Sequence, residues 1–496
     1  MVTQKLLAID LGASSGRVMQ GLFDGEKIEL SEIHRFTNQP VSVKGSLYWD
    51  VLNLFQQVKN GIGKAALDGI PIESLAVDTW GVDYGYLDHQ GNLISNPYCH
   101  RDTRTKTYEH QFYAQLSKEA QFEKTGVQPS LINTVNQIHA DLSSRPYLKE
   151  IVKSVLLMPD LVNYLLTDQL ASEYTILSTS GLLDAKTGEL SSEVLEQAGI
   201  PSCWFQEITR KGNVLGTITK EISESLHVNG FKVITGAGHD TASAVLAIPY
   251  INVVEETAFI SSGTWSLVGM ESSEPIVTKE AFHAGLTNEG TFDGNYRILK
   301  NTTGLWLYNE LLRDWQLKGE EVSHELLFDL SNEVKDNETY INPNADLFSV
   351  PGNMEEKIQH YCGETNQQVP TTKGHLVRVV LESLAMSYRN TIEQLEAVSN
   401  RQLKHIQMVG GGIQNQLLCQ LTADFTKREV IAGPIEASAL GNIVSQLMTL
   451  KVIQSREEMI GVIRNSAALT TYQVKELVDV EKKYVQFLNV LGKEVG

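Results

Sequence analysis

The chain has 496 residues, 42% hydrophobic and 20% charged, with 38 glycines and 13 prolines and no low-complexity tract, which is an ordinary folded composition with length for about two or three domains. Its 41 basic residues against 60 acidic ones leave a net charge of −19 with no basic block, a poor match for nucleic acid or an anionic membrane. Cys99, Cys203, Cys362 and Cys419 are too scattered for a metal spacing or a disulfide framework, so a reducing compartment is expected.

The N-terminal MVTQKLLAID reaches Asp10 after a few apolar residues and lacks the apolar core of a signal peptide. LLAID (6–10) and RVMQGLF (17–23) then read as two strands joined by the small-residue turn LGASSG, a hairpin. SLAVDTW (74–80) is a short apolar strand. The longest apolar stretch, SVLLMPDLVNYLLT (154–167), is interrupted by Pro159-Asp160 and is too short to span a membrane, so a cytoplasmic protein is expected.

FKVIT (231–235) predicts another strand, followed by Gly236-Ala237 and the helix-forming GHDTASAV. IPYINVVEE separates that helix from a second hairpin, TAFI (257–260) and WSLVGM (265–270) around SSGT. Hairpins of one style opening each half predict two related α/β domains, 1–248 and 249–496. Farther on, Leu376, Val380, Leu384, Tyr388, Ile392 and Leu395 share a helical face, HIQMV (405–409) is a strand, and a last helix near 472–491 stacks Leu477, Val480, Tyr484, Leu488 and Leu491. Trp80, Trp265 and Trp306 beside the motif loops read mainly as core packing, with sugar stacking an option for Trp80.

Three small-residue loops follow apolar strands: GASSGR (12–17), SSGTW (261–265) and GGGIQN (410–415). Such turns bring successive backbone N–H groups close to an anion, and the third leads into the helix NQLLCQLTADF with its free amino-terminal amides. None has the Gly-Lys-Ser/Thr of a Walker loop, and GGGIQN is not GxGxxG. Together they point to a nucleotide in a cleft between the domains. Asp10 is then either a holder of Mg²⁺ or a turn cap. Asp240 has two readings as well: a helix cap, or the carboxylate that orients a substrate hydroxyl and accepts its proton, ionised and with an ordinary aspartate pKa near ~3.9.

In order along the chain, IDLGASSGRV, IHRF, WDV, DTWGVDY, HRDTRT, LLMPD, EYT, GHDTASAV, SSGTWSL, TNEG, YRILKN, GLW, VGGGIQNQLL and AGPIEASALGN closely resemble the FGGY carbohydrate kinases, of the actin, sugar kinase and Hsp70 ATPase superfamily. DTWGVD with HDTASAV and EASALGN is the pattern of the branch whose acceptor is L-rhamnulose. The resemblance implies two RNase-H-like (actin-like ATPase) domains flanking and closing on a central nucleotide and sugar cleft, and transfer of the γ-phosphoryl group of ATP, with Mg²⁺, to the C1 hydroxyl of that ketose. It makes Asp240 the proton acceptor, and sets Ala13, Ser14, Ser15, Gly16, Arg17 and Thr264 at the ATP phosphates and Gly411 near the adenosine.

Gly81, His239, Asp240, Thr241 and Asn301 match sugar-contacting positions, with Asp83 added from DTWGVD. Asn309 stands where relatives carry a Gln that touches ATP, one methylene longer; a polar helix residue facing solvent is its other reading. His100-Arg101-Asp102 replaces a Tyr-Arg-Asp, with no role assigned. The expected assembly is a monomer or small homo-oligomer. Fuculose or xylulose as acceptor, and a non-catalytic nucleotide-switched binding protein, are the alternatives.

Overall fold

The computed structural model describes residues 3–475 and 479–493. The chain divides into two compact units that do not follow a single cut: the first holds Met1–Pro249, Glu271–Ile298 and Glu436–Ala468, and the second Tyr250–Met270, Leu299–Ile435 and Leu469–Gly496. The first unit therefore departs from 1–248 by taking back two later segments.

The strands used below are β1 (Gln4–Leu11), β2 (Ser15–Phe23), β3 (Ile28–Thr37), β4 (Ile72–Thr79), β5 (Asn213–Thr217), β6 (Lys232–Thr235), β7 (Thr257–Ser262), β8 (Trp265–Ser272), β9 (Thr287–Gly290), β10 (Tyr296–Thr303), β11 (His405–Val409), β12 (Glu429–Ala432) and β13 (Thr470–Tyr472). The helices are α1 (Val51–Ala65), α2 (Met158–Thr167), α3 (Tyr174–Leu177), α4 (Asp240–Leu246), α5 (Trp306–Leu317), α6 (Lys373–Ser399), α7 (Gln416–Thr426), α8 (Ala437–Thr449) and α9 (Val480–Leu491).

In the first unit the sheet order is β5-β6-β4-β1-β2-β3. The predicted hairpin is β1–β2, antiparallel, and β1 then pairs in parallel with β4 and β4 with β6. A central strand covered on both faces reads as an unbroken apolar run. This is why Leu6, Leu7, Ala8, Ile9 and Leu11 are all fully buried. One face packs on α1 and α2 through Val51, Leu54, Val58, Leu161 and Val162.

The second unit repeats the scheme. Its strands run β10-β8-β7-β11-β12-β13, with β7–β8 an antiparallel hairpin, β7–β11 and β11–β12 parallel and β12–β13 antiparallel. HIQMV forms β11 as expected, and the six-residue stripe of α6 is fully buried. That helix is covered well beyond its stripe, because Val377, Val379 and Leu381 are buried too.

The last helix differs from expectation. Residues 470–472 are the edge strand β13, Leu477 lies outside the described residues, and α9 buries Val480, Tyr484, Phe487 and Val490 while Leu488 is 38% exposed. The four-residue step from Val480 to Tyr484 holds, but the stripe then advances by threes. Trp265 is not core either: at the start of β8 it is 55% exposed, whereas Trp80 is buried and Trp306 donates from Nε1 to the Phe348 carbonyl. Among the described residues no helix is long and apolar enough to cross a membrane.

Within the first unit α4 crosses α8 so closely that a Cβ on Gly441 would stand 1.8 Å from the Ser243 carbonyl oxygen. Gly441→Ala is accordingly expected to push α4 outward and to lower stability by about 2 kcal/mol, read as a drop in the thermal midpoint; an unchanged midpoint would refute this packing.

Candidate active site

Strand register decides the chemistry at the end of β1. Parallel pairing aligns Asp10 with Asp78 on β4, and the hairpin aligns Asp10 with Arg17 on β2. Asp10 therefore lies within a strand rather than capping a turn. Its Oδ2 accepts from the Arg17 guanidinium, whose other arm holds Glu436 just ahead of α8. Asp78 is fully buried; its Oδ2 accepts from Asn442 Nδ2 on α8 at 2.6 Å, and its Oδ1 has no hydrogen-bond partner. Gln446, one turn on, donates to Asn442 Oδ1 and to the Leu7 carbonyl and accepts from Ser74, so α8 is laced to both strands.

The turn between β1 and β2 is pinned through its carbonyls. Gly12 N–H donates to Ser15 O at 2.8 Å, and Asn38 grips Gly12 O with its side chain and Ser14 O with its backbone. Ala13 and Ser15 are half-buried and Ser14 is exposed, while Gly16 is buried, and a Cβ there would stand 2.3 Å from the Phe36 ring. Gly16 thus serves packing, and the carbonyls of Gly12, Ser14 and Ser15 are taken up within the fold.

GHDTASAV resolves as a clamped loop followed by α4. The cap position belongs to His239, without a side-chain cap bond, and Asp240 is the first helical residue. Asp240 Oδ1 accepts from the backbone N–H and hydroxyl of Thr241, and the side chain stays 32% exposed. Enclosure, and then the nearby Asp10 carboxylate, push its pKa up to about 7 against the opposing Thr241 bonds. The expected ordinary aspartate is therefore corrected: like charges crowd this site.

The same two influences, burial first and Asp10 second, raise Asp78 well above the usual carboxylate range. Glu173, which sequence reasoning passed over, holds the loop from below. Its carboxylate accepts from Thr175 and Ile176 at the start of α3 and from Gly238 N–H at 3.0 Å, while the Thr175 hydroxyl accepts from His239 N–H.

Gly81 lies close by. A Cβ there would meet Thr179 Oγ1 at 3.1 Å and His239 Nε2 at 3.3 Å, so the structure brings Gly81, His239 and Asp240 together. The next residue, Val82, has φ 67, unusual for a β-branched residue, and Asp83 N–H donates to Gly81 O across it. This is the rare, strained form of γ-turn. Thr134 and Gln137 hold its Val82 carbonyl and Thr179 accepts its N–H.

Asp83 itself is buried and occupied: Oδ2 accepts from Trp49 Nε1, Trp80 Nε1 and His100 Nδ1, and Oδ1 from Gln137. It braces the wall behind the turn, which gives His100 a task as well. Asp102 caps the following turn and accepts from Leu47 N–H.

The remaining predicted residues belong to the second unit. Thr264, Asn309 and Gly411 line one cavity of about 850 Å³, along with Gly263, Tyr308 and Gln414. Asn309 is exposed on α5 and forms part of this wall. In the glycine triplet a Cβ on Gly410 would stand 2.8 Å from Ser262 O, and one on Gly412 2.2 Å from Ser262 Oγ. Those two let the loop press on the hairpin end, whereas a Cβ on Gly411 would meet only Gln414 Nε2, at 4.0 Å. The triplet does not run straight into a helix: a 3-10 turn, Gly411–Gln414, intervenes, and Asn415 caps α7 by accepting from Leu418 N–H. Asn301 lies exposed on β10.

The sequence model of the N-terminal domain of the FGGY family of carbohydrate kinases matches residues 5–247, and that of the C-terminal domain matches 258–450. A rhamnulokinase of Bacteroides thetaiotaomicron is 37% identical over 486 residues, covering 98% of this chain and 99% of that one. Among solved structures, xylulose kinase from Rhodospirillum rubrum superposes with a TM-score of 0.79 at 16% identity, covering 98% of this chain and 97% of the other. Plasmodium falciparum glycerol kinase with ADP reaches a TM-score of 0.82 at 16% identity, covering 99% and 98%. These two share the fold: mixed α/β, with two sheet-bearing parts built on the actin-like ATPase plan.

Because burial and the neighbouring Asp10 raise Asp78 in the folded protein above the ~3.9 of an unfolded chain, its protonation favours folding fully at low pH, and that contribution is lost as pH rises toward the raised folded value. Asp78→Asn cannot ionise. Its thermal midpoint relative to wild type is expected to climb as pH rises above about 4, and a pH-independent difference would refute the buried-charge reading.

Proposed function

The chain belongs to the FGGY family of carbohydrate kinases, and we propose that its reaction is that of a rhamnulokinase: ATP-dependent phosphorylation of L-rhamnulose at the C1 hydroxyl, giving L-rhamnulose 1-phosphate and ADP. The carrying observation for the chemistry is Asp240. A carboxylate at the first turn of a helix, partly open, with a pKa of about 7 and flanked by His239 and Gly81, suits the group that accepts the alcohol proton. The identity of the acceptor is supported by likeness to rhamnulokinases along nearly the whole chain.

Phosphoryl transfer asks the protein mainly for positioning and charge stabilisation. In the first unit, Ala13, Ser14, Ser15, Gly16 and Arg17 meet the phosphates, with Arg17 leaving or sharing its two carboxylates as they arrive. In the second, Thr264, Asn309 and Gly411 hold the nucleotide in the cavity that they line. Gly81, His239, Asp240, Thr241 and Asn301 contact the sugar, while Asp83 acts through the wall that it braces.

Mg²⁺ fits the donor set on one observation: carboxylate oxygens crowd at Asp10, Asp78 and Asp240, and one buried oxygen of Asp78 is unpartnered. Asp10 would hold it, and the ion supplies charge neutralisation at the phosphates.

A coupled ATPase assay with Mg²⁺ over L-rhamnulose, fuculose and xylulose tests the substrate. The highest kcat/KM is expected for L-rhamnulose; preference for xylulose would overturn the assignment. In the same assay Asp240→Asn is expected to lower kcat by about 10²–10⁴ with KM values little changed, and undiminished turnover would remove Asp240 from the role.

A further inference from the structure

Arg297 on β10 is buried with none of its side chain exposed. Its Nε donates to the Gly290 carbonyl at 3.0 Å, and its NH2 group to Glu289 Oε2 at 3.1 Å. What remains of the guanidinium faces a histidine: both NH1 and NH2 lie 3.5 Å from Nδ1 of His239. A guanidinium carries only donors and keeps its charge in proteins. A ring nitrogen set against two such donors accepts; an N–H there would oppose hydrogen to hydrogen. The imidazole proton therefore belongs on Nε2.

That nitrogen points at the substrate side. It lies 3.7 Å from Asp240 Oδ1 and 3.3 Å from where a Cβ on Gly81 would stand. One oxygen at roughly 2.8 Å from both Nε2 and Oδ1 fits across that gap. We propose that Arg297 is a positioning residue that locks His239 in its Nε2–H tautomer, so that the acceptor hydroxyl takes a hydrogen bond from Nε2 while giving its own hydrogen to Asp240. A hydroxyl held in this way keeps one lone pair for attack on phosphorus.

The reaction part of this inference rests on the kinase reading above; the tautomer does not. Burial and the Arg297 charge both hold His239 well below the usual histidine range, in agreement with a neutral ring. Besides Arg297 and Asp240, the His239 main chain is bound by Thr175, and Glu289 balances Arg297. Arg297→Met would leave that carboxylate without its cation.

The test uses the full chain with ¹⁵N-labelled histidine, without ligands. Long-range ¹H–¹⁵N correlation reports which ring nitrogen is protonated, and loss of the resonances in His239→Gln identifies the ring. Wild type and Arg297→Lys are expected to show a neutral ring protonated at Nε2, whereas Arg297→Met is expected to gain a proton at Nδ1. In turnover, Arg297→Met should lose about 10²-fold in kcat with KM for ATP unchanged, and Arg297→Lys should recover most of it.

An Nδ1–H tautomer in wild type, or an unaltered Nε2–H ring in Arg297→Met, overturns the proposal. Should Arg297→Met fail to fold, the wild-type and Arg297→Lys spectra decide alone. A wild-type Nε2–H spectrum without sugar phosphorylation would instead refute the kinase reading and leave the tautomer standing.

Discussion

Parallel pairing of β1 with β4 sets two carboxylates, Asp10 and Asp78, at the same level of adjacent strands, and a third, Asp240, lies near enough to feel Asp10. Much of the surrounding architecture answers that concentration of negative charge. Arg17 crosses the hairpin to Asp10, and Asn442 comes from α8, far along the chain, to reach Asp78. Burial first, and then repulsion from Asp10, lifts Asp78 and Asp240, so each is readier than an ordinary carboxylate to take up a proton.

Around it the protein is stiff. Glu173 and Thr175 hold the main chain of Gly238 and His239, and Thr134, Gln137 and Thr179 hold the strained turn at Val82. Asp83 collects two indoles and an imidazole behind that turn. Polar groups buried this deeply are tolerated because each of these carboxylates and carbonyls is met by donors. The one unpartnered oxygen of Asp78 lies where the charges converge.

How much of this could be read beforehand depended on range along the chain. Both hairpins, the strand HIQMV and the loops were visible because two-residue periodicity and small-residue turns are local signals. Thr264, Asn309 and Gly411 line one cavity although they are distant in sequence, a grouping to which the motif resemblance pointed. Glu173, Arg297 and Asn442 lie inside quoted motifs, yet their roles, like the bracing role of Asp83, were not legible, because each acts through partners that only the fold brings to it. The raised pKa of Asp240 was missed for the same reason: it depends on burial and then on Asp10, both supplied only by the fold. The error at the last helix was different, an apolar spacing that continued across an edge strand.

The first unit is completed by α8, inside the segment Glu436–Ala468, long after the chain has left that unit at Pro249. During synthesis, at about 5–20 residues per second, the ribosome therefore needs on the order of 10–40 s beyond Pro249 before the segment is available. Through that interval the nascent sheet lacks the helix whose Asn442 and Gln446 satisfy Asp78, Ser74 and the Leu7 carbonyl. The emerging half thus leaves the ribosome before the segment that closes its polar interior exists.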